Sequence, residues 1–285
     1  MGCRAIDHAS SLQGAELQRL HFISGLPRSG STLLAALLRQ NPRFHAGMSG
    51  PVAGLVGSLL GEMSGRNEFS VFIDDAQRQR VLRGVIENNH ADTPAEVVFD
   101  TSRAWCARMA LLKTLYPEAR VIACVRHVPW IVDSIERLIR RNALQPSSIF
   151  NYTPGGTVYS RAEGLANGEG MVGYAYNALK EAFFGADSAN LMLLQYETLC
   201  SDPGKALAAI YAFIGEQPFA HDVEHIAFDA RAFDAKAGTP GLHTVRPEVG
   251  AIERETILPP DLFRRFENDA FWRDPALNTR GVRIV

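Results

Sequence analysis

Apolar residues gather in short runs that each close on a glycine or a polar side chain. LHFISG (20–25) closes on Gly25, AEVVFD (95–100) on Asp100 and ARVIACVR (119–126) on Arg126. These runs predict buried strands, and NLMLLQY (190–196) predicts another. Between them the apolar spacing lengthens to that of a helix. STLLAALLRQNP (31–42) puts Leu33, Leu34, Leu37 and Leu38 on one face and Pro42 beyond its end. DDAQRQRVLRGVIENNH (74–90) begins near Asp74 or Asp75, AWCARMALLKTLYP (104–117) stops at Pro117, and a further helix runs from near Pro129 through Arg141. GPVAGLVGSLLGEM (50–63), the region 171–184, PGKALAAIYAFIG (203–215) and PPDLFRRFENDAFW (259–272) predict four more. Strands alternating with helices specify an α/β fold with a P-loop-like, mostly parallel sheet flanked by helices on both faces. The ligand site of such a sheet lies at the carboxyl ends of its strands.

Two stretches lack a period. Residues 142–170 are rich in Gly, Pro, Ser and Asn and read as a long loop or lid, and 228–256 is irregular and contains GTPGLHTVRP (238–247). Residues 1–19 read as a lead-in. No internal repeat interrupts the chain, so we expect one domain over 1–285, with segments 46–73 and 142–170 shaping one pocket and a covering loop near 236–250.

Charge and cysteines narrow the function classes. A formal net charge of −2 argues against broad nucleic-acid binding but leaves room for a local basic pocket. The four cysteines, at 3, 106, 124 and 200, form no C-x-x-C pair, which fits a reduced, cytoplasmic protein. The first twenty residues hold no continuous apolar core, and the opening Met-Gly-Cys has Ile6 where an acylation signal wants Ser or Thr. No apolar run is long enough to span a bilayer, so no membrane partner is expected.

The chemistry concentrates in GLPRSGST (25–32), between the first strand and the first helix. Gly25 and Gly30 permit a tight turn whose amides converge on an anion, and the helix amino terminus adds partial positive charge. The lysine of a nucleotidase P-loop is replaced by Ser31, while Arg28 lies inside the loop. No convincing magnesium carboxylate follows a strand, Asp100 excepted, so the loop suits an anion handled without metal.

With that loop, the whole chain resembles the sulfotransferase family, whose donor is 3'-phosphoadenosine-5'-phosphosulfate. By that resemblance, Pro27, Arg28, Ser29, Gly30, Ser31 and Thr32 belong to the loop around the 5'-phosphosulfate. Arg126, after its strand, and Ser134, eight residues on, are similar to the family's 3'-phosphate site. The Tyr196-Glu197 pair and the helix after it resemble a third family segment, which implies Tyr196 near the adenine and Glu197 in a structural role. GTPGLHTVRP lies where the family places a loop over the donor, with His243 and Arg246 as its ligand-touching candidates.

In-line sulfuryl transfer calls for cations at the leaving group and a base for the acceptor proton. Arg28 fits the first role. The protein-tyrosine branch, nearest in outline, carries glutamates where this chain has Met48 and Ser49. The family lysine after the second strand is replaced within DTSR (100–103), where Arg103 can supply the charge. Asp100 and His45 are the candidate bases, against plain readings as a helix cap and a surface loop residue. The expected acceptor is a small molecule or peptide with a hydroxyl or amine. An apolar helical face leaves a homodimer open. Two other classes stay in view: a phosphotransferase or nucleotidase with an unusual loop, and a non-catalytic nucleotide-binding protein. HDVEH (221–225) has zinc-ligand spacing, but no third ligand accompanies it and a solvated helix start is the expectation.

Overall fold

A computed structural model describes residues 18–65, 68–145, 156–251 and 253–285. Among the described residues there are six strands: β1 (Arg19–Gly25), β2 (Phe44–Ala46), β3 (Val97–Thr101), β4 (Val121–Val125), β5 (Leu191–Gln195) and β6 (Arg283–Ile284). The helices are α1 (Ser31–Leu38), α2 (Val52–Glu62), α3 (Asp75–Asn89), α4 (Met109–Leu115), α5 (Val128–Arg141), α6 (Val158–Ala166), α7 (Met171–Phe184), α8 (Tyr196–Ser201), α9 (Pro203–Ile214), α10 (Arg231–Lys236) and α11 (Pro260–Arg265). All strand pairs are parallel, in the order β2-β3-β1-β4-β5-β6.

The unbroken apolar runs follow from burial on both faces of this sheet. On one face Phe22, Val98, Val121, Ala123, Val125, Leu191 and Leu193 meet apolar residues of α2, α3, α4, α5 and α7. On the other, Ile23, Val97, Phe99, Ile122, Cys124, Met192 and Leu194 meet α1 and α9. Strand β1 lies between β3 and β4, so the chain leaves β1 and β4 on either side of one crevice. The loops after β1, β3, β4 and β5 all open at that end.

Several expectations are corrected. The helix expected over 104–117 begins instead as a 3-10 turn, Arg103–Arg108, because the backbone N–H of Cys106 donates to the Ser24 hydroxyl at 3.2 Å rather than continuing an α-helical ladder. The 142–170 region contains α6, started by Thr157, whose hydroxyl accepts the Ser160 N–H at 3.2 Å. Residues 146–155 of that stretch, and the amino-terminal Met-Gly-Cys with Cys3, lie outside the described residues. The closing helix is confined to α11, with a separate 3-10 turn at Phe271–Arg273. Strands β2 and β6 are too short to show as apolar runs and owe their existence to pairing with β3 and β5. HDVEH is not helical: His221 pairs with the Tyr211 hydroxyl at 2.9 Å and His225 with Asp222 at 3.0 Å. Among the described residues no helix is long and apolar enough to cross a membrane.

Candidate functional site

The loop after β1 is shaped by two glycines that no other residue can replace without strain. Gly25 has φ 100°, and a Cβ there would lie 2.2 Å from the carbonyl oxygen of Cys124 on β4. Gly30 has φ 91°, and a Cβ would come within 2.9 Å of the Tyr196 ring. The loop is therefore pressed against the sheet at one end and against α8 at the other. Gly30 also forms the left-handed start of α1 with no side-chain cap, so the first amides of that helix remain available. Between the glycines, Arg28 has φ 57°, the one positive φ at a non-glycine among the described residues. This costs on the order of 1 kcal/mol or more and aims the guanidinium into the crevice.

There it meets the second predicted stretch. Arg28 Nε donates to Ser134 Oγ on α5 at 3.2 Å, and Arg126, just past β4, donates through Nη1 to the Arg28 carbonyl at 3.3 Å. The Arg126 guanidinium also lies 4.2 Å from the centre of the Tyr196 ring, in cation–π range. These groups line one cavity of about 930 Å³. Its wall includes Pro27, Arg28, Gly30, Ser31, Thr32, Arg103, Arg126, Ser134, Tyr196, His243 and Arg246, which the sequence singled out.

The cavity crowds cations. Burial, with Arg126 close by, pushes the Arg28 guanidinium down to about 10 from 12.5. Burial likewise lowers Arg126 and Arg103. The guanidiniums stay charged at neutral pH, so these downward pushes reflect the cost of holding positive charge in a desolvated space, which an anionic ligand relieves. An anionic ligand suits such a cavity in charge, and Tyr196 offers it an aromatic face.

Three predicted residues fall elsewhere. Ser29 is buried, and its hydroxyl donates to the Pro27 carbonyl at 3.3 Å, holding the loop from inside. Asp100 lies outside the lining, its carboxylate 3.0 Å from His90 Nε2 and accepting from Trp105 Nε1 at 2.7 Å. It anchors β3 to the turn behind it. His45, on β2, also lies outside, with its ring 6.0 Å from that of His90. Of the described residues of the expected pocket segment 46–73 only Ser49 reaches the wall, and none of 156–170 does.

The far wall is formed by GTPGLHTVRP (238–247), expected as a covering loop, and by the residues after it, which no motif marks. The chain between α10 and α11 returns over α5 and supplies Leu242 through Arg246 and Glu248 through Arg254, position 252 aside. The Arg28 guanidinium donates to the Leu242 carbonyl. Asp234 on α10 accepts from the His243 backbone N–H at 2.9 Å and lies 2.6 Å from its Nδ1. Buried Asp133 accepts from Ile257 N at 2.8 Å and Thr256 Oγ1 at 3.0 Å. Arg254 stands 2.8 Å from the same carboxylate, out of line for a hydrogen bond, and 5.6 Å from the Trp130 ring. Asp234, Trp130 and Arg254 were not foreseen, because their partners lie across sequence separations that no local pattern marks.

A protein-family model described as "Sulfotransferase family" matches residues 21–221. No curated protein matches the sequence. Among solved structures, the chain is similar to a sulfotransferase from Alicyclobacillus acidocaldarius, at 16% identity over 95% of this chain and 98% of that one, with a TM-score of 0.48. It is similar to the sulfotransferase domain from the curacin biosynthetic pathway, at 18% identity over 72% of this chain and 76% of that one, with a TM-score of 0.46. It is also similar to mouse sulfotransferase SULT7A1 complexed with PAP, at 16% identity over 72% of this chain and 61% of that one, with a TM-score of 0.46. The family match does not single out the protein-tyrosine branch.

Proposed function

Because the chain belongs to the sulfotransferase family, we propose that it transfers the sulfuryl group of 3'-phosphoadenosine-5'-phosphosulfate to a hydroxyl or amine of a small-molecule or peptide acceptor by in-line displacement. One observation carries the donor assignment: Arg28 and Arg126, from loops after neighbouring strands, share a single cavity with Ser134 and Tyr196. In this reading the α1 amides, Ser31, Thr32 and Arg28 hold the 5' end. Arg126 and Ser134 hold the 3'-phosphate, and Tyr196 lies by the adenine. Arg103, at the cavity end of β3, faces the sulfuryl group in place of the family lysine. Cations and amide dipoles fixed before the reaction stabilise the charge that builds on the leaving phosphate.

The nucleotidase reading requires a magnesium carboxylate, and the one candidate after a strand, Asp100, is committed to His90 and Trp105. Calorimetry separates the readings. 3'-Phosphoadenosine-5'-phosphate (PAP) is expected to bind at least tenfold more tightly than ADP or magnesium-ATP. Equal or stronger binding of magnesium-ATP would refute the donor assignment.

A further inference from the structure

The returning segment holds an imidazole fixed in a way that donor binding alone does not require. Asp234 is 2% exposed and spends both carboxylate oxygens on one residue. One oxygen accepts the His243 backbone N–H at 2.9 Å, and the other sits 2.6 Å from His243 Nδ1. A buried carboxylate at Nδ1 selects the tautomer protonated there and leaves a lone pair on Nε2. Nε2 has no hydrogen-bond partner among the described residues and is not sealed from solvent, and His243 lines the cavity. The Phe233 ring, 5.5 Å away and edge-on, adds an apolar neighbour.

We propose that His243 is the general base of the transfer, with Asp234 as its positioning residue. This rests on the sulfotransferase reading. The acceptor oxygen forms the new bond to sulfur as the bond from sulfur to the bridging oxygen breaks. The electron pair of the broken bond stays on the 5'-phosphate, giving PAP. The acceptor proton passes to Nε2 and then to water, while Asp234 remains a carboxylate and stabilises the imidazolium.

The other candidates are worse placed. Asp100 and His45 stand outside the cavity wall. Glu197 accepts from His127 N and pairs with Arg273 at 3.2 Å, and Glu248 and Glu253 are exposed. The charged groups around His243 are of both signs: Asp234 at its Nδ1, and Arg28, which Asp234's charge reaches, Arg246 on the same segment and Arg141, packed near Gly241.

The first test needs no acceptor. With 15N-labelled histidine and PAP bound, nitrogen NMR is expected to show His243 protonated at Nδ1 and unprotonated at Nε2 at pH 8. A proton on both nitrogens up to pH 9 would make the ring a fixed cation for the donor and overturn the proposal. The second test uses 35S-labelled donor, with water and with 2-naphthol as acceptor probes. His243→Asn keeps an N–H for Asp234. It is expected to lower the rate about 10²–10³-fold and abolish the acid limb of the pH profile, with PAP affinity within about threefold of wild type. Asp234→Asn, which would put the ring proton on Nε2, is expected to lose rate similarly. Weaker PAP binding with an unchanged rate at saturating donor would assign His243 to the donor instead. A wild-type protein that binds no PAP would refute the donor reading itself, a result distinct from a PAP-binding protein whose His243→Asn variant keeps its rate.

Discussion

The glycine loop after β1 and the returning segment 239–250 meet where Arg28 bonds the Leu242 carbonyl, yet they are held by different kinds of bond. The loop is fixed through backbone. Leu26 N donates to Cys124 O at 2.8 Å, Ser102 N donates to Ile23 O at 2.9 Å, and both loop glycines have no room for a side chain. The returning segment depends more on side chains: Asp234 on His243 and Arg28 on Leu242, with Asp133 holding residues 256 and 257 just beyond it. Its backbone bonds from Val249 N to Val223 O (2.9 Å) and from Ile226 N to Pro247 O (2.6 Å) reach an irregular neighbour rather than the sheet. A wall made of sheet backbone presents pre-formed amides, whereas a wall made of side-chain bonds can exchange them for a ligand's.

The largest test of this contrast is Gly25→Ala. The positive φ and the 2.2 Å approach to Cys124 O predict a loss of about 4 kcal/mol or outright failure to fold, read from urea unfolding midpoints. Acid pH is the next lever, and it acts on the sheet. Burial, followed by the charges of Arg120 and Arg19, pushes His21 on β1 down to about 4 from 6.5, and its Nδ1 accepts the Arg120 backbone N–H at 3.1 Å. The unfolded chain therefore takes up this proton first. The contribution is complete above pH 6.5 and is lost as pH falls to 4, amounting to about 3 kcal/mol at most. His21→Leu should flatten that part of the stability–pH curve. An unchanged slope would place the acid-sensitive group elsewhere.

Ligand-binding effects come next. Arg126→Ala is expected to weaken PAP about 10²-fold by calorimetry, with little change in melting temperature, since its guanidinium is set by Tyr196 and by a single long bond to Arg28 O. Ser134→Ala should cost about fivefold. The mildest effect is on hydrogen exchange. PAP should slow exchange in the returning segment more than in the loop, and equal protection of both would erase the distinction drawn between them.

The loop residues were legible because local sequence sets them: glycine spacing between an apolar run and a helical period leaves the backbone few choices. Arg126 and Ser134 were legible for a related reason, since a strand ending in Arg126 and a helix opening near Pro129 fix their spacing along the chain. Asp100 misled because position at a strand end says where the backbone stops and nothing about which neighbour claims the carboxylate. His90 and Trp105 claim it, one from the end of α3 and one from the turn after β3.

Taken alone, then, the chain determined the parallel sheet, the glycine loop after β1 and the cations at two strand ends, all products of short-range steric and burial rules. The tertiary structure decided which cations share a cavity, which acids stay out of it, and which imidazole is held beside it by a buried carboxylate. Those outcomes depend on contacts between elements far apart in sequence, and packing geometry alone selects them.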